Sequence, residues 1–241
     1  MRVINAVWEQ RNLGVECVEF EIEQTDDWKS IKSTILGTTA EYQVAKVPVG
    51  EVKSQLEIQE CGYRFFETNI QMERKIDIPP VLPGIYSRFE KDISYRSATE
   101  DEIEKILEEV AQGKIFTTDK VAQDPFFSAE LSGKRYSLWA GDLIARGAET
   151  VLGLFKGNAA AFTIYEIKEN CYHAFIGGML NEYRNCGMGF LPLYITAKQI
   201  YDAGGGILKT GVSSNNPAIL RLQILFGATI SEMINIYVKH L

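Results

Sequence analysis

The sequence predicts an α/β (α+β) protein in two parts: a smaller N-terminal α/β domain over residues 1–84, and a larger domain over residues 85–241 built on a mixed central sheet. Three observations support this prediction. Strand and helix signals alternate along the chain. The segment "IDIPPVLPGIY" contains three of the seven prolines, which interrupt regular structure. After it, the predicted order of elements is β-α-α-β-β-β-α-β-α-β.

Composition and charge exclude several classes of protein. The 241 residues are 46% apolar and 24% charged, which is typical of a globular protein with a buried core. The net charge is -7 and no Lys/Arg-rich run occurs, so we expect no nucleic-acid partner. No apolar run approaches the roughly 18 residues of a membrane span. The start of the chain lacks the apolar core of a signal peptide.

Cysteine and histidine usage indicate a reducing compartment and no metal centre. The four cysteines form no CxxC pair, which favours a cytoplasmic location over a disulfide scaffold. His173 and His240 are the only histidines, which excludes an HExxH zinc site and leaves few candidates for the histidine of a Ser-His-Asp triad.

The N-terminal part contains one clear β-α-β unit. "AEYQVAKVPV" predicts a strand, "GEVKSQLEIQECG" a short helix closed by Gly62, and "YRFFETNIQMERKI" a second strand. The earlier segments "FEIEQ" and "WKSIKSTILG" show the same strand–helix alternation more weakly. No group of residues in this region suggests a chemical role.

Two helices are predicted next. In "SATEDEIEKILEEVAQG", Thr99 and Glu102 have the spacing of a capping box, and Gly113 can end the helix. Four apolar residues then lie on one face: Ile103, Ile106, Leu107 and Val110. "FFSAELSGKRYSLWAGDLIARG" is a less regular helical stretch that contains Gly133.

Three strands and two further helix–strand pairs complete the chain. "TVLGLFK" and "AAAFTIYEIK" are separated by Gly157-Asn158, a tight-turn pair, and "CYHAFIGGML" follows. A helix is expected from about Gly187 to Ala203, then the strand "ILKTGV". "NNPAILRLQILFG" predicts a helix with Pro217 in its first turn, and "ATISEMINIYVK" the last strand.

The segment "RNCGMG", Arg184 to Gly189, predicts a diphosphate-binding loop. A helix N-terminus offers unpaired N–H groups and a positive dipole end, and glycines allow close approach to the backbone. The segment lacks the GK[ST] of a P-loop, and it does not open the first β-α unit of a parallel sheet. A short motif of this kind also occurs in turns that bind nothing.

With its context, this segment resembles the signature of the GCN5-related N-acetyltransferase (GNAT) family. That signature, [RQ]-x-x-G-x-[GA] before a central helix, falls on Arg184, Gly187 and Gly189. A second signature falls on Asn216 and "PAILRLQILF", followed by Gly227-Ala228 and the last strand. The resemblance covers about residues 94–240 and implies the GNAT fold with splayed strands. More weakly, "QVAKVP" and "GYRF" resemble the accessory domain of TDP-fucosamine N-acetyltransferases.

The family resemblance implies acetyl-CoA as co-substrate and an amine as acceptor. The backbone of Gly178, Met179 and Leu180 would pair with the pantetheine arm, and one N–H would stabilise the oxyanion. Asn216 would contact CoA. Beside Arg184, the N–H groups expected to hold the diphosphate are those of Asn185, Cys186, Gly187, Met188 and Gly189.

The catalytic residues are less well defined. An alkyl ammonium must lose a proton before it attacks, and Glu166 could accept it through water, as could Tyr172 or His173. Gln223 stands where the family usually has the tyrosine that protonates the thiolate, and Tyr237 is a substitute acid. Four aromatic residues could line an acceptor pocket or belong to the core: Trp28, Trp139, Phe126 and Phe127.

The sequence therefore predicts an acetyl-CoA-dependent N-acetyltransferase for a primary amine, with a nucleotide-linked amino sugar as the narrower expectation. Another small amine, an antibiotic or a peptide N-terminus remains an alternative acceptor. A non-catalytic acyl-CoA-binding module is the alternative from another class, because Gln223 cannot act as the acid. No membrane partner is expected, and a homodimer is left open.

Overall fold

The structure is a computed structural model that describes all 241 residues, with ten strands and seven helices. The strands are β1 (Arg2–Asn5), β2 (Cys17–Glu21), β3 (Tyr42–Pro48), β4 (Arg64–Ile76), β5 (Ile93–Ser97), β6 (Glu149–Phe155), β7 (Asn158–Lys168), β8 (Cys171–Met179), β9 (Gly206–Ser213) and β10 (Thr229–His240). The helices are α1 (Val7–Leu13), α2 (Trp28–Leu36), α3 (Val52–Glu60), α4 (Glu100–Ala111), α5 (Ala129–Ala145), α6 (Leu191–Asp202) and α7 (Pro217–Leu225). No helix combines the length and the hydropathy that a membrane span requires.

All ten strands form one mixed sheet in the order β1-β2-β3-β10-β4-β9-β8-β7-β6-β5. The last strand, β10, lies between β3 and β4, which both come from the N-terminal segment. Strand β4 in turn pairs with β9 of the C-terminal segment. The mixed sheet is as predicted, but a separate N-terminal domain is not observed, because both segments build the same sheet. The boundary near residue 84 stays a prediction.

The two segments repeat one arrangement and exchange their last strands. In the order β2-α2-β3-α3-β4, the first two strands pair in parallel, and β8-α6-β9-α7-β10 has the same property. In each case the final strand leaves its own segment and pairs with the middle strand of the other: β4 with β9, and β10 with β3. Because β4 and β10 also pair with each other, they form the centre of the sheet.

Helices cover both faces of the sheet. Helices α2 and α3 pack against one face through Ile31, Ile35 and Ile58, in a core that includes Tyr237 of β10. Strand register places the apolar contacts of α6 and α7 on the same face. The opposite face carries α1, α4 and α5, because alternate side chains of each strand point to opposite sides.

The predicted start of α4 is confirmed, and Gly133 has a packing role. Thr99 and Glu102 form both hydrogen bonds of a capping box. Helices α4 and α5 meet where a Cβ on Gly133 would lie 2.2 Å from the backbone nitrogen of Gly113. Only glycine allows this approach, which explains the residue that makes the helical pattern irregular.

Two predicted boundaries differ in the structure. The turn between β6 and β7 consists of Lys156 and Gly157, since Phe155 pairs with Asn158. Both turn residues have positive φ, at 51° and 81°, as a two-residue hairpin requires. Helix α6 begins at Leu191 instead of about Gly187, so the glycines belong to the loop before it.

Candidate functional site

The parallel strands β8 and β9 separate halfway along their length. They pair only from Cys171–Ala174 to Ile207–Thr210, although β8 continues to Met179 and β9 to Ser213. The pairing of β8 with β7 shifts register so that Phe175 is an extra residue. A bulge of this kind bends its strand, and this one falls where the pairing with β9 ends. The result is a gap between two strands, in agreement with the splayed strands that the family resemblance implies.

Alternation along β8 decides which backbone groups face this gap. The N–H of Leu180 donates to the carbonyl of Ala160 at 2.9 Å, so it is already engaged with β7. Residues two apart point the same way, and Gly178 therefore also faces β7. Of the three residues predicted to pair with a pantetheine arm, only Met179 directs its N–H and carbonyl into the gap. Gly177, two residues earlier, points the same way.

The loop that follows β8 presents a run of unpaired backbone donors. None of the six N–H groups from Asn185 to Phe190 donates a hydrogen bond within the protein. Asn185 and Gly187 adopt positive φ, at 62° and 73°. Phe190 occupies the N-cap of α6, and no side chain caps this helix. The loop thus has the properties of an anion site: unpaired donors, left-handed residues and the positive end of a helix dipole.

Neighbouring groups anchor the loop and add positive charge. The side chain of Met188 is buried in a small apolar cluster with Phe190, Leu222 and Phe226. Leu222 of α7 also lies 3.8 Å from the position of a Cβ on Gly189. Arg184 makes no ion pair or hydrogen bond through its guanidinium, which leaves the charge available for a ligand.

Helix α7 brings two further predicted residues towards this region. Asn216 is its N-cap, with Oδ1 accepting from the N–H of Ile219 at 3.2 Å. Gln223 is 8% exposed, and its backbone carbonyl accepts from Ala228. Its side-chain amide makes no hydrogen bond with another protein group. Asn216 therefore has a structural role of its own, beside any contact with a ligand.

Glu166 and Tyr237 are not near the loop. Glu166 pairs with His173, five residues along β7 from the position opposite Met179, or about 17 Å. Its carboxylate contacts Lys168 at 3.1 Å and Arg146 at 3.6 Å. Tyr237 points towards α2 and α3, because strand alternation places it there, and burial raises the pKa of its phenol. The roles expected of them, Glu166 as proton acceptor for the amine and Tyr237 as acid for the thiolate, stay predictions to which these positions add no support.

The other residues named from the sequence are spread over the molecule. Tyr172 is buried in the core beneath α6, on the opposite face from His173, whose ring centroid lies 6.2 Å from that of Phe175. Trp139 approaches the same Phe175 ring at 6.2 Å, so it lies near the gap. The remaining aromatics pack far along the sheet: Phe126 against His240, Phe127 against Tyr42, and Trp28 on the core under α2.

Sequence reasoning missed a carboxyl group one strand from the gap. Glu67 of β4 is 5% exposed and accepts a hydrogen bond from the backbone N–H of Lys120 at 3.2 Å. Its other oxygen contacts the hydroxyl of Ser213, the last residue of β9. Burial raises the pKa of Glu67. No local pattern could reveal this pair, because its members lie 146 residues apart in the chain.

Comparisons with known proteins identify the fold. No protein-family model and no curated protein matches the chain. A GCN5-related N-acetyltransferase from Sphaerobacter thermophilus aligns with a TM-score of 0.67 and 13% identity, over 99% of this chain and 75% of that one. One from Kribbella flavida gives 0.54 and 14%, over 93% and 81%.

A third similar structure is the GCN5-related glucosamine N-acetyltransferase region of a fungal multi-domain β-N-acetylglucosaminidase. It gives a TM-score of 0.62 and 11% identity, over 83% of this chain and 25% of that one. The chain therefore has the GNAT fold. The match over 99% of the chain includes the N-terminal segment.

Proposed function

We propose that the protein is an acetyl-CoA-dependent N-acetyltransferase that acts on a primary amine. The observation that carries this proposal is the run of six unpaired N–H groups from Asn185 to Phe190, next to the gap between β8 and β9. The loop offers a site for a diphosphate, and the gap offers an adjacent slot for an extended chain. CoA contains both of these parts.

The loop suits a diphosphate for electrostatic reasons. Two adjacent phosphate groups carry negative charge and several acceptor oxygens, and backbone donors at a helix N-terminus stabilise such anions. Arg184, directly before the loop, carries a full positive charge, and a guanidinium can bind two phosphate oxygens at once. The net charge of -7 opposes a polyanion only weakly, because distant charges are screened over about 10 Å in 0.1 M salt.

The gap suits the pantetheine arm because that arm carries amide groups. An extended chain can hydrogen-bond to a free strand edge as an added strand does. Gly177 and Met179 supply that edge on β8. The N–H of Met179 would then lie beside the thioester carbonyl and stabilise the negative charge that develops on its oxygen.

The leaving thiolate has no acid of the usual kind. Gln223 cannot give up a proton, and Tyr237 is directed away from the gap. A thiolate is a stable enough leaving group near neutral pH to depart unprotonated, so the reaction can proceed more slowly. The same observation favours the alternative function, a module that binds acyl-CoA and transfers nothing. A nucleotide-linked amino sugar remains the narrower proposal for the acceptor, on the weak N-terminal resemblance.

Calorimetry with CoA and an assay of thiol release test these functions. We expect CoA to bind with 1:1 stoichiometry, and Arg184→Ala to weaken binding about tenfold through loss of charge-assisted hydrogen bonds. Thiol release from acetyl-CoA should then depend on an amine from a panel of amino sugars, polyamines and peptides. Tight CoA binding without turnover of any amine would favour the non-catalytic module, and absence of CoA binding would contradict both.

A further inference from the structure

Glu67 is a buried carboxyl group without a cationic partner. It lies on β4, one strand from the gap, in a region where the other buried acids are paired: Glu9 with Arg135, and Glu19 with Lys46 and Lys120. Glu67 instead accepts the N–H of Lys120 and contacts the hydroxyl of Ser213. An unpaired buried carboxylate is costly, so this group is poised to take up a proton.

The hydrogen bonds of Ser213 imply two protonation states. Its Oγ lies within hydrogen-bond distance of a Glu67 oxygen and, at 3.0 Å, of the carbonyl of Thr118, and it accepts the N–H of Asn215 at 3.1 Å. A hydroxyl has a single proton to donate, whereas an ionised carboxylate and a carbonyl both need one. Ser213 can therefore hydrogen-bond to Glu67 and to Thr118 at the same time only when Glu67 is protonated and donates its own proton to Ser213. When Glu67 is ionised, Ser213 donates to it and leaves Thr118.

The surroundings of Glu67 bias this equilibrium. Burial raises the pKa of Glu67 and the hydroxyl of Ser213 lowers it; Asp119 raises it further, and the ammonium and backbone N–H of Lys120 lower it. From α5, the phenol of Tyr136 also faces this carboxyl group. Ile236 of β10, the cross-strand neighbour, contributes no charge. The net result is a pKa above the ordinary value for glutamate.

Ser213 connects Glu67 to the gap. It is the last residue of β9, three residues beyond the last one that pairs with β8, and it is partly exposed. Two residues earlier, Gly211 has no side chain. The space beside it is lined by the amides of Gln71 and Asn69, at 3.1 Å and 3.2 Å from the position of a Cβ. A polar substrate that carries an ammonium group can therefore approach Ser213 along these neutral amides, which do not repel a cation.

We propose that Glu67 is the proton acceptor for the amine substrate and that Ser213 relays the proton. This inference rests on the proposed transferase function. An N–H bond of the ammonium breaks and its proton goes to Oγ of Ser213, while the hydroxyl proton of Ser213 moves to Glu67. The freed lone pair forms the C–N bond, and the C–S bond breaks with its electrons on sulfur. The second N–H proton neutralises the thiolate, and Glu67 returns its proton to water.

The decisive experiment compares pH profiles of kcat/KM in Glu67→Gln, Ser213→Ala and a control, Glu73→Gln. Glu73 lies on the same strand and face as Glu67, but beside the section where β8 and β9 remain paired. We expect Glu67→Gln to lose roughly 100-fold at pH 7, the usual contribution of a general base. The loss should recover about tenfold per pH unit as solution supplies the free amine, up to a pKa of about 10.4. Ser213→Ala should show the same change in slope, and Glu73→Gln should match the wild type.

A merely structural role for Glu67 predicts a different result, namely weaker CoA binding or a lower melting temperature with an unchanged pH profile. That outcome would overturn the base assignment and leave the transferase intact. If Glu67→Gln does not fold, Ser213→Ala decides, and a wild-type profile in that variant overturns the relay. A wild-type protein that binds CoA but acetylates no amine removes the transferase function and this inference together.

Discussion

Substitution of Gly187 by alanine tests whether the loop before α6 must keep its left-handed backbone conformation to bind the diphosphate. Gly187 has φ of +73°, and a Cβ there would meet no atom within 4 Å. The cost of the substitution is therefore conformational, about 1–2 kcal/mol for an L-residue in the left-handed region. Because nothing packs against this position, the unliganded loop can relax, and the cost appears when the ligand requires the original conformation.

We therefore expect Gly187→Ala to weaken CoA binding about 5- to 30-fold, since this is the ratio that 1–2 kcal/mol produces. Its melting temperature should change little. Gly157→Ala is the matched control, because Gly157 has φ of +81° and equally open surroundings, but lies in the β6–β7 turn. There the strands hold the turn in place, so the strain should lower stability by about 1 kcal/mol and leave CoA affinity unchanged. Calorimetry with CoA and thermal unfolding measure both quantities. Equal CoA affinity in Gly187→Ala and wild type would contradict a role for this conformation in binding.

Further predictions concern stability. Gly133→Ala should cost about 3 kcal/mol in urea unfolding, because its Cβ would lie 2.2 Å from the backbone nitrogen of Gly113, just after α4, whereas Gly141→Ala in the same helix as Gly133 has free space and should gain up to about 1 kcal/mol. Arg135→Met should cost about 3–5 kcal/mol, because it leaves Glu9 buried without its cation; equal stability would show that the pair contributes nothing. The hydrogen bond from Arg96 lowers the pKa of Glu102 from 4.5 to about 2, so this group should stabilise the fold above pH 4.5 and lose its effect as the pH falls towards 2. Glu102→Gln should flatten that part of the stability profile. Residues 1–84 and 85–241 expressed separately should fold poorly and recover ordered structure on mixing, as measured by circular dichroism.

Features set by neighbouring residues could be predicted from the sequence. The capping box of Thr99 and Glu102 depends on a spacing of three residues, and the loop at Arg184–Gly189 depends on glycines before an apolar helix. The sequence predicts too early a start for α6, which begins at Leu191, because Gly187 adopts a left-handed conformation and Pro192 lies in the first turn.

Features set by distant pairing could not be predicted. The sequence patterns correctly predict β4 and β10 as strands. Their exchange between segments, however, depends on which strand edge each one meets in the folded protein. The partnership of Glu67 and Ser213 follows from that exchange. From Asn69 onward, the polar residues of "ETNIQME" alternate with apolar ones, which is ordinary for a strand with one solvated face. Only its neighbour across the sheet, Ser213, gives Glu67 the chemical role proposed above.

The exchange of strands also explains how an N-terminal segment without a recognisable motif could take part in chemistry at a C-terminal site. Each segment leaves the edge of its middle strand, β3 or β9, to be paired by the final strand of the other. An unpaired edge of this length would expose a row of backbone groups, so the two segments complete one another. In doing so, β4 brings Glu67, Asn69 and Gln71 next to β9, where the gap opens. The same pairing that closes the sheet therefore supplies the polar side chains beside the proposed route of the acceptor, while the loop before α6 supplies the proposed anion site.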